Sequence, residues 1–126
     1  MNPPTEDIKD ILTTDTGLVF ADDLFIGAEP SSPNNVVTLY DTGGGGFDLA
    51  SYREPTIQAR IRNTSYPKGW NQADEVARTL QTVNGRKVNG THYGSIWLQS
   101  EILFVERDDD GRFVFTCNFR MKRVPI

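Results

Sequence analysis

The chain has 126 residues, of which 37% are hydrophobic and 24% are charged, and its formal net charge at pH 7 is -4. This length and composition predict one globular domain with its own core, and the acidic balance argues against a tight, sequence-independent grip on nucleic-acid phosphates. One cysteine excludes an internal disulfide, and the sequence predicts neither a signal peptide nor a membrane-spanning segment.

The first forty residues predict a helix followed by two strands. Residues 5–14 carry a short apolar stripe at helical spacing, and we expect Thr5 to cap the amino end of this helix. Beyond it we expect a short buried strand, a loop, and a strand that is apolar on both faces, at residues 23–27, 29–35 and 36–41.

Four consecutive glycines, Gly43, Gly44, Gly45 and Gly46, stand within residues 42–54. Ordering such a run costs much backbone entropy. The Lys-Ser or Lys-Thr pair of a phosphate-binding loop does not follow it, so we reject that interpretation. The sequence instead predicts a mobile excursion, anchored if at all by Phe47, Leu49 or Tyr52.

An alternating strand followed by an amphipathic helix forms the centre of the predicted fold. Residues 55–62 alternate apolar and polar side chains with a period of two, as a strand with one buried face does. Ser65 and Pro67 are typical of a helix start, and Gly85 of the turn that follows a helix end. The apolar stripe of this helix is expected to contain Trp70, Ala73, Val76, Ala77, Leu80 and Val83.

The last forty residues predict an antiparallel meander. Asn89-Gly90 is a strong hairpin signal, residues 101–107 predict a strand, and an acidic turn follows it. Residues 112–122 then alternate cleanly, with Phe113 and Phe115 on the apolar side. The whole order predicts an α+β fold: a mostly antiparallel sheet with two helices packed on one face, in a single domain over residues 1–126.

No set of residues points to catalysis, to a metal or to a cofactor, and we predict a protein that is not an enzyme. His92 has a suitable pKa for a general base but no motif ties it to a nucleophile or an acid. Cys117 falls on an apolar strand face, where a thiol is inert. The acidic run near Asp108 lacks the ligand spacing of a calcium loop.

Charged strand faces are the candidate interface. Arg60 and Arg62 share the polar face of one strand, and Arg120 and Lys122 share that of another, so neighbouring strands would form a basic stripe. The stripe is either an ordinary solvated sheet face or a contact for an acidic partner. Acidic residues stand elsewhere, at Asp41, Asp48, Asp108, Asp109 and Asp110. Separate patches of opposite charge permit head-to-tail association, which closes into rings.

Six stretches taken in order resemble a phage family. They include Asp-Leu-Phe-Ile-Gly at residues 23–27 and Gly-Thr-His-Tyr-Gly-Ser-Ile-Trp-Leu-Gln-Ser at residues 90–100, and the full set is residues 3–12, 23–27, 33–43, 55–62, 90–100 and 112–120. Together they resemble the minor capsid or tail-completion proteins of long-tailed bacteriophages. These proteins are similar to the tail terminators, which cap the tail tube.

The resemblance implies a tail-terminator-like α+β fold and a homo-hexameric ring at the head-proximal end of the tail, assembled in the host cytoplasm. Its implied partners are itself, the tail tube protein and a head-completion or neck protein. DNA would only pass through the bore, and no membrane, cofactor or catalytic residue is implied. The mobile loop and the acidic hairpin would reach neighbours in the particle.

Two alternatives remain open, namely another neck or head-completion protein and a small ligand-binding domain with a pocket around His92. The candidate interface residues are Gly43, Gly44, Gly45, Gly46, Phe47, Arg60, Arg62, Asp108, Asp109, Asp110, Arg120 and Lys122.

Overall fold

A computed structural model describes residues 1–46 and 52–125 of the chain. Its elements are, in order, α1 (Pro4–Asp15), β1 (Leu24–Ile26), β2 (Val36–Gly44), β3 (Pro55–Asn63), α2 (Tyr66–Gln81), β4 (Asn84–Val88), β5 (Thr91–Leu98), β6 (Leu103–Arg107) and β7 (Phe113–Pro125). The predicted α+β fold and the predicted order of elements are confirmed. Neither helix in these residues has the length and apolar character that crossing a membrane requires.

The strands of the described residues form one mixed sheet in the order β1-β2-β3-β7-β5-β4, and β6 lies beside β7. The pair β1–β2 is parallel. The other pairs are antiparallel, as the prediction of a mostly antiparallel sheet requires. The 13-residue β7 has β3 along one side, while β6 and β5 follow one another along its other side.

The helices pack on one face of this sheet, which we call the inner face. Alternate residues of β3 and β7, such as Ile61 and Phe115, join α1 and α2 in one buried cluster. The predicted apolar side of β7 is confirmed, because Phe115, Cys117, Phe119 and Met121 are fully buried. The opposite, outer face carries polar side chains such as Thr38, Arg60 and Thr116, which the register places side by side.

Helix α2 begins as the sequence predicts. The Ser65 side chain accepts a hydrogen bond from the Lys68 amide at 3.4 Å, and Pro67 lies in the first turn, where no donor is needed. The predicted apolar stripe is buried except for one residue: Trp70 is 36% exposed and packs edge-on against Phe115 at the rim of the core. The prediction of Trp70 as a core residue is therefore wrong.

Helix α1 obtains its cap from another element. Its N-cap residue is Pro3, which makes no side-chain capping bond, and Thr5 lies inside the first turn. The carboxylate of Asp41 in β2 accepts from the Thr5 amide at 3.2 Å and from the Thr5 hydroxyl at 2.8 Å. The prediction of Thr5 as the cap is thus wrong, because a carboxylate on β2 satisfies the free amide at the positive end of the helix dipole.

The glycine segment starts later than expected, because β2 continues to Gly44. Gly43 and Gly44 pair with Thr56 and Pro55 of β3, so these two glycines belong to a strand. Gly44 has φ +109°, and a β-carbon there would lie 2.5 Å from the Glu54 carbonyl oxygen. Only glycine fits such a close backbone approach. The predicted anchors Phe47 and Leu49 lie outside the described residues.

Candidate assembly surface

The predicted basic stripe lies on the outer face, where Arg60 and Arg62 are neutralised by the chain itself. Glu29, in the loop before β2, accepts from Nε of Arg60 at 2.9 Å and from Nη1 of Arg62 at 3.1 Å. The Arg62 guanidinium also donates to the carbonyl oxygens of Pro33 and Asn34. Its side chain is 3% exposed, so Arg62 holds the loop onto the sheet and is not a surface contact.

The second half of the stripe has a carboxylate of its own. Arg120 and Lys122 of β7 both face Glu54, at 3.7 Å and 3.5 Å. Strands β3 and β7 are neighbours, so the structure does bring the predicted residues onto one face. This face is electrostatically compensated, however, and does not form an open basic patch. Lys122 remains 52% exposed and is the most accessible of the four cations.

The acidic turn between β6 and β7, residues 108–111, is organised by its own arginine. The Asp108 carboxylate accepts from the amide and the Nε of Arg112, both at 2.8 Å, and these bonds hold its pKa below the usual value. Asp110 also contacts Arg112, at 3.3 Å, but its side chain is 77% exposed. Asp109 and Asp110 are therefore the acidic groups that this tip presents to solvent.

The glycine segment borders a shallow cavity of about 260 Å³. Asp41, Arg53 and Arg123 line it together with Gly43, Gly45 and Gly46. Phe47 and Asp48, which the sequence analysis placed in the interface and in an acidic patch, lie outside the described residues. The predicted interface thus falls into separate places: the outer face, the hairpin tip and the end of β2.

The two residues with potential for catalysis differ in their surroundings. Cys117 is fully buried, and burial raises the pKa of its thiol to about 12. His92 lies in β5 between Lys87 of β4 and Val124 of β7. Within residues 1–46 and 52–125, its side chain has no hydrogen bond or ion pair that would activate it, and no three acidic, histidine or cysteine groups gather as metal ligands.

A buried polar network that the sequence analysis missed joins the two ends of the described chain. The Tyr93 hydroxyl donates to Asp7, and burial together with this carboxylate raises the pKa of Tyr93. Arg123 donates to the Asn2 carbonyl at 2.7 Å, and Asn89 donates to Asp7 at 2.9 Å. The network fixes α1 to β5 and β7. In the sequence, its one visible sign was an acidic residue on α1, Asp7.

The strand β6 presents an exposed apolar edge that was not predicted from the sequence. Leu103, Phe104 and Val105 of β6 are 57%, 41% and 43% exposed. The sequence shows this run as apolar at successive positions, a pattern that predicts a strand but not its exposure, because runs of this kind are typical of strands buried on both faces. Tyr66 continues the surface, with its ring 5.3 Å from that of Phe104.

Comparisons with known proteins agree with the fold. A chain of the virion of a native gene transfer agent (GTA) particle aligns with a TM-score of 0.73 at 12% identity, covering 96% of this chain and 94% of that chain. A second solved structure, which carries no descriptive name, aligns with a TM-score of 0.47 at 12% identity over 94% and 90% of the two chains. The first likeness shows a shared fold, and the second is too weak for an argument. No curated protein sequence matches the chain.

The family comparison identifies the chain. Residues 9–125 match the family described as "Bacteriophage tail terminator protein". This match confirms the resemblance inferred from the six sequence stretches. The chain belongs to the bacteriophage tail terminator family and is a structural protein of a phage tail.

Proposed function

We propose that this protein caps the tail tube as a ring of identical subunits and joins the tube to the head-completion proteins. The observation that carries the proposal is the family match over residues 9–125, which spans α1 from Lys9 onward, all of α2 and all the strands described. In this proposal the ring occupies the head-proximal end of the tail, after assembly in the host cytoplasm, and the protein has no enzymatic role.

The distribution of charge supports a passive bore. The formal net charge is -4, and the cations of the outer face are paired with Glu29 and Glu54. Tight sequence-independent binding of duplex DNA needs several uncompensated lysines or arginines, each releasing counterions from the phosphates. A ring built from such subunits would let DNA pass through without holding it.

Two projecting segments are the proposed contacts with the tube and the head. The hairpin tip offers the exposed carboxylates of Asp109 and Asp110, and the segment that follows β2 offers Gly45 and Gly46. A tip that is internally braced by Arg112 can meet a partner without first losing much conformational entropy. The candidate interface residues Arg60 and Arg62 have no such part in the proposal, because Glu29 already occupies them.

The test is removal of the gene from a phage-producing strain, followed by negative-stain electron microscopy of the lysate. Full heads beside separate tails that are overlong or ragged at one end would support a terminator. Tails of normal length that fail to join heads would instead assign the protein to the neck. Intact infectious particles would overturn both assignments. Expression of the protein from a plasmid, which should restore normal particles, controls for effects on neighbouring genes.

A further inference from the structure

Two strands, β1 and β6, end the sheet on opposite sides at the same level along the strands. The register aligns Leu24, Val37, Ile61, Phe115 and Phe104 across five strands. The strands β1, β2, β3, β7 and β6 therefore form one continuous row. In the part of the chain that the structure describes, β1 ends this row on one side and β6 ends it on the other.

The β6 edge is unusually apolar for a free strand edge. Its first three residues are all exposed, and the ring of Tyr66 in α2, itself 43% exposed, packs against Phe104 on the inner side. Natural edge strands normally carry lysine, proline, an inward charge or a bulge that prevents pairing with another chain. In β6 the register shift between Phe104 and Glu106 and the charges of Glu106 and Arg107 protect the second half of the strand, while Leu103 and Phe104 pair regularly with β7 and carry no such protection. A contiguous apolar surface of this kind marks an interaction site.

The β1 edge is apolar as well. Val19 and Phe20 lie just before β1 and are 52% and 44% exposed. Phe20 forms a bridge with Leu24, and the Ala21 amide donates to the Leu24 carbonyl at 2.9 Å, so the chain already covers this edge at Leu24 and leaves it to a neighbour at Phe25 and Ile26. The half-buried Phe25 lies on the outer face, as Leu103 does on β6.

The strand directions make these two edges complementary. Because β1 is parallel to β2, and the pairs β2–β3, β3–β7 and β6–β7 are antiparallel, β1 and β6 run in opposite directions. Rotation of a second copy about an axis parallel to the strands preserves these directions. In such a ring, β6 of one subunit meets β1 of the next as an antiparallel pair, which is the more favourable kind of pairing.

We propose that β6 of one copy lies beside β1 of the next copy, so that the sheet continues from subunit to subunit. Leu103 and Phe104 then cover Phe25, Val19 and Phe20 of the neighbour. Antiparallel alignment also carries Arg107, at the end of β6, towards Asp22, which precedes β1 in the neighbour. The occupant of the apolar edge is thus a second copy of this chain. The inference rests on the proposed function for the existence of a ring and adds the surfaces that build it.

The strand β4, which ends the sheet beyond β5 in the described residues, is a poor competitor. It carries Arg86, which is bound to Asp15 at 2.6 Å, and the exposed Lys87. A lysine on an edge strand opposes pairing with another strand. The β4 edge therefore serves as the matched control surface in the tests.

The first measurement is the mass of the purified full-length protein, by light scattering and native mass spectrometry. A closed assembly of several subunits is expected. A monomer at every concentration would contradict the ring of the proposed function and this interface with it. The next two tests are informative when the assembly forms, and they distinguish failure of the interface from failure of the ring.

The second measurement is disulfide trapping in a Cys117→Ala background. Opposed residues of neighbouring strands have Cβ atoms about 4.5–5.5 Å apart, a separation that a disulfide can span after small adjustments. The pair Leu103→Cys and Phe25→Cys should yield a covalent ladder up to the full assembly on mild oxidation, whereas Leu103→Cys alone should remain uncrosslinked. Dimers from Leu103→Cys alone would show β6 against β6 and overturn the proposal. An intact ring without any crosslink from the pair would also overturn it.

The third measurement uses substitutions at exposed positions. Leu103→Asp should shift the assembly to monomers at equal protein concentration, with an unchanged circular dichroism spectrum, since the Leu103 side chain is 57% exposed. Lys87→Asp on the β4 edge should leave the mass unchanged. The reverse pattern, with Lys87→Asp dissociating the assembly and Leu103→Asp leaving it intact, would place the contact on β4 and contradict the proposal.

Discussion

Arg62 is a buried cation whose every strong contact comes from one loop. Its guanidinium donates to Glu29 and to two carbonyl oxygens of residues 33 and 34. A buried charge is tolerated when it is paired and its hydrogen bonds are satisfied. The alternation of β3 placed Arg62 correctly on the outer face, but no local pattern could reveal that a loop some thirty residues earlier covers it.

We expect Glu29→Gln to lower the free energy of unfolding by about 1–3 kcal/mol, because hydrogen bonds to charged groups contribute about that much and Arg62 stays buried. Urea denaturation with an unchanged slope measures the effect. The control is Asp74→Asn, which removes an ion pair with the 79% exposed Arg78 and should leave the midpoint unchanged. Equal midpoints for both variants would contradict the role given to Glu29.

The burial of Cys117 predicts that its thiol reacts slowly in the native protein. Its pKa is raised to about 12, so the native protein at pH 8 should react with a thiol reagent at least about 100-fold more slowly than the urea-unfolded chain. Since the unfolded thiol loses its proton first, this group also lowers stability as the pH rises from about 9 towards 12. A Lys122→Cys variant should react at once, and equally fast labelling of native Cys117 would contradict its burial.

At the scale of the elements, sequence patterns correctly predicted the features that neighbouring residues determine, such as a helix start and a hairpin turn. Ser65 and Pro67 fix the start of α2, and Asn89 adopts a positive φ of 49° in the expected hairpin. The failures involve distant partners. Asp41, rather than Thr5, caps α1. The Trp70 side chain stays partly exposed at the rim of the core. Such pairings are long-range, and a sequence window around either residue does not contain them.

In helix α2, helix propensity and core packing predict opposite changes in the free energy of unfolding for one substitution. Gly69 is buried, and a β-carbon there would lie 2.7 Å from Cε2 of Phe115 and 3.2 Å from Cβ of Asn63. Alanine is favoured over glycine in helices by about 1 kcal/mol, but overpacking a core costs about 1–3 kcal/mol. We expect Gly69→Ala to lower the free energy of unfolding.

The matched control for Gly69→Ala is Asn71→Ala, at an exposed position of the same helix. This change should be neutral or slightly stabilising, because alanine has the higher helix propensity and meets no neighbour. Thermal unfolding of both variants measures the difference. An increase in stability for Gly69→Ala would mean that the Phe115 ring moves aside readily.

At the scale of the whole molecule, the paired charges of the outer face predict weak binding of duplex DNA. We expect no saturable binding of a short duplex at 0.15 M salt, measured by fluorescence anisotropy, up to about 100 µM protein. Glu54→Gln releases Arg120 and Lys122 from their shared carboxylate and should strengthen binding at low salt. Tight binding by the unaltered protein would contradict a passive bore.

The two-faced, mostly antiparallel sheet was predicted from the sequence, but the exposed apolar edge formed by β6 was not. Alternation in β3 and β7 gave the two-faced sheet and its helical cover. The apolar run of β6 predicted a strand but gave no sign that α2 would leave it exposed, since that depends on where the rings of Tyr66 and Trp70 end. The position of an assembly surface depends on which apolar side chains the tertiary packing leaves exposed, and local periodicity does not determine this.

The strand β7 has neighbours on both sides over much of its length, with β3 on one side and β6 then β5 on the other. Its amide hydrogens should therefore exchange with deuterium only when the entire domain unfolds, while those of the singly paired β6 should exchange through brief local openings. If β6 meets a neighbouring subunit, assembly should slow exchange in β6 and hardly alter it in the middle of β7. The exchange rate of β7 thus serves as an internal reference, and the exchange rate of β6 can be compared with it before and after assembly.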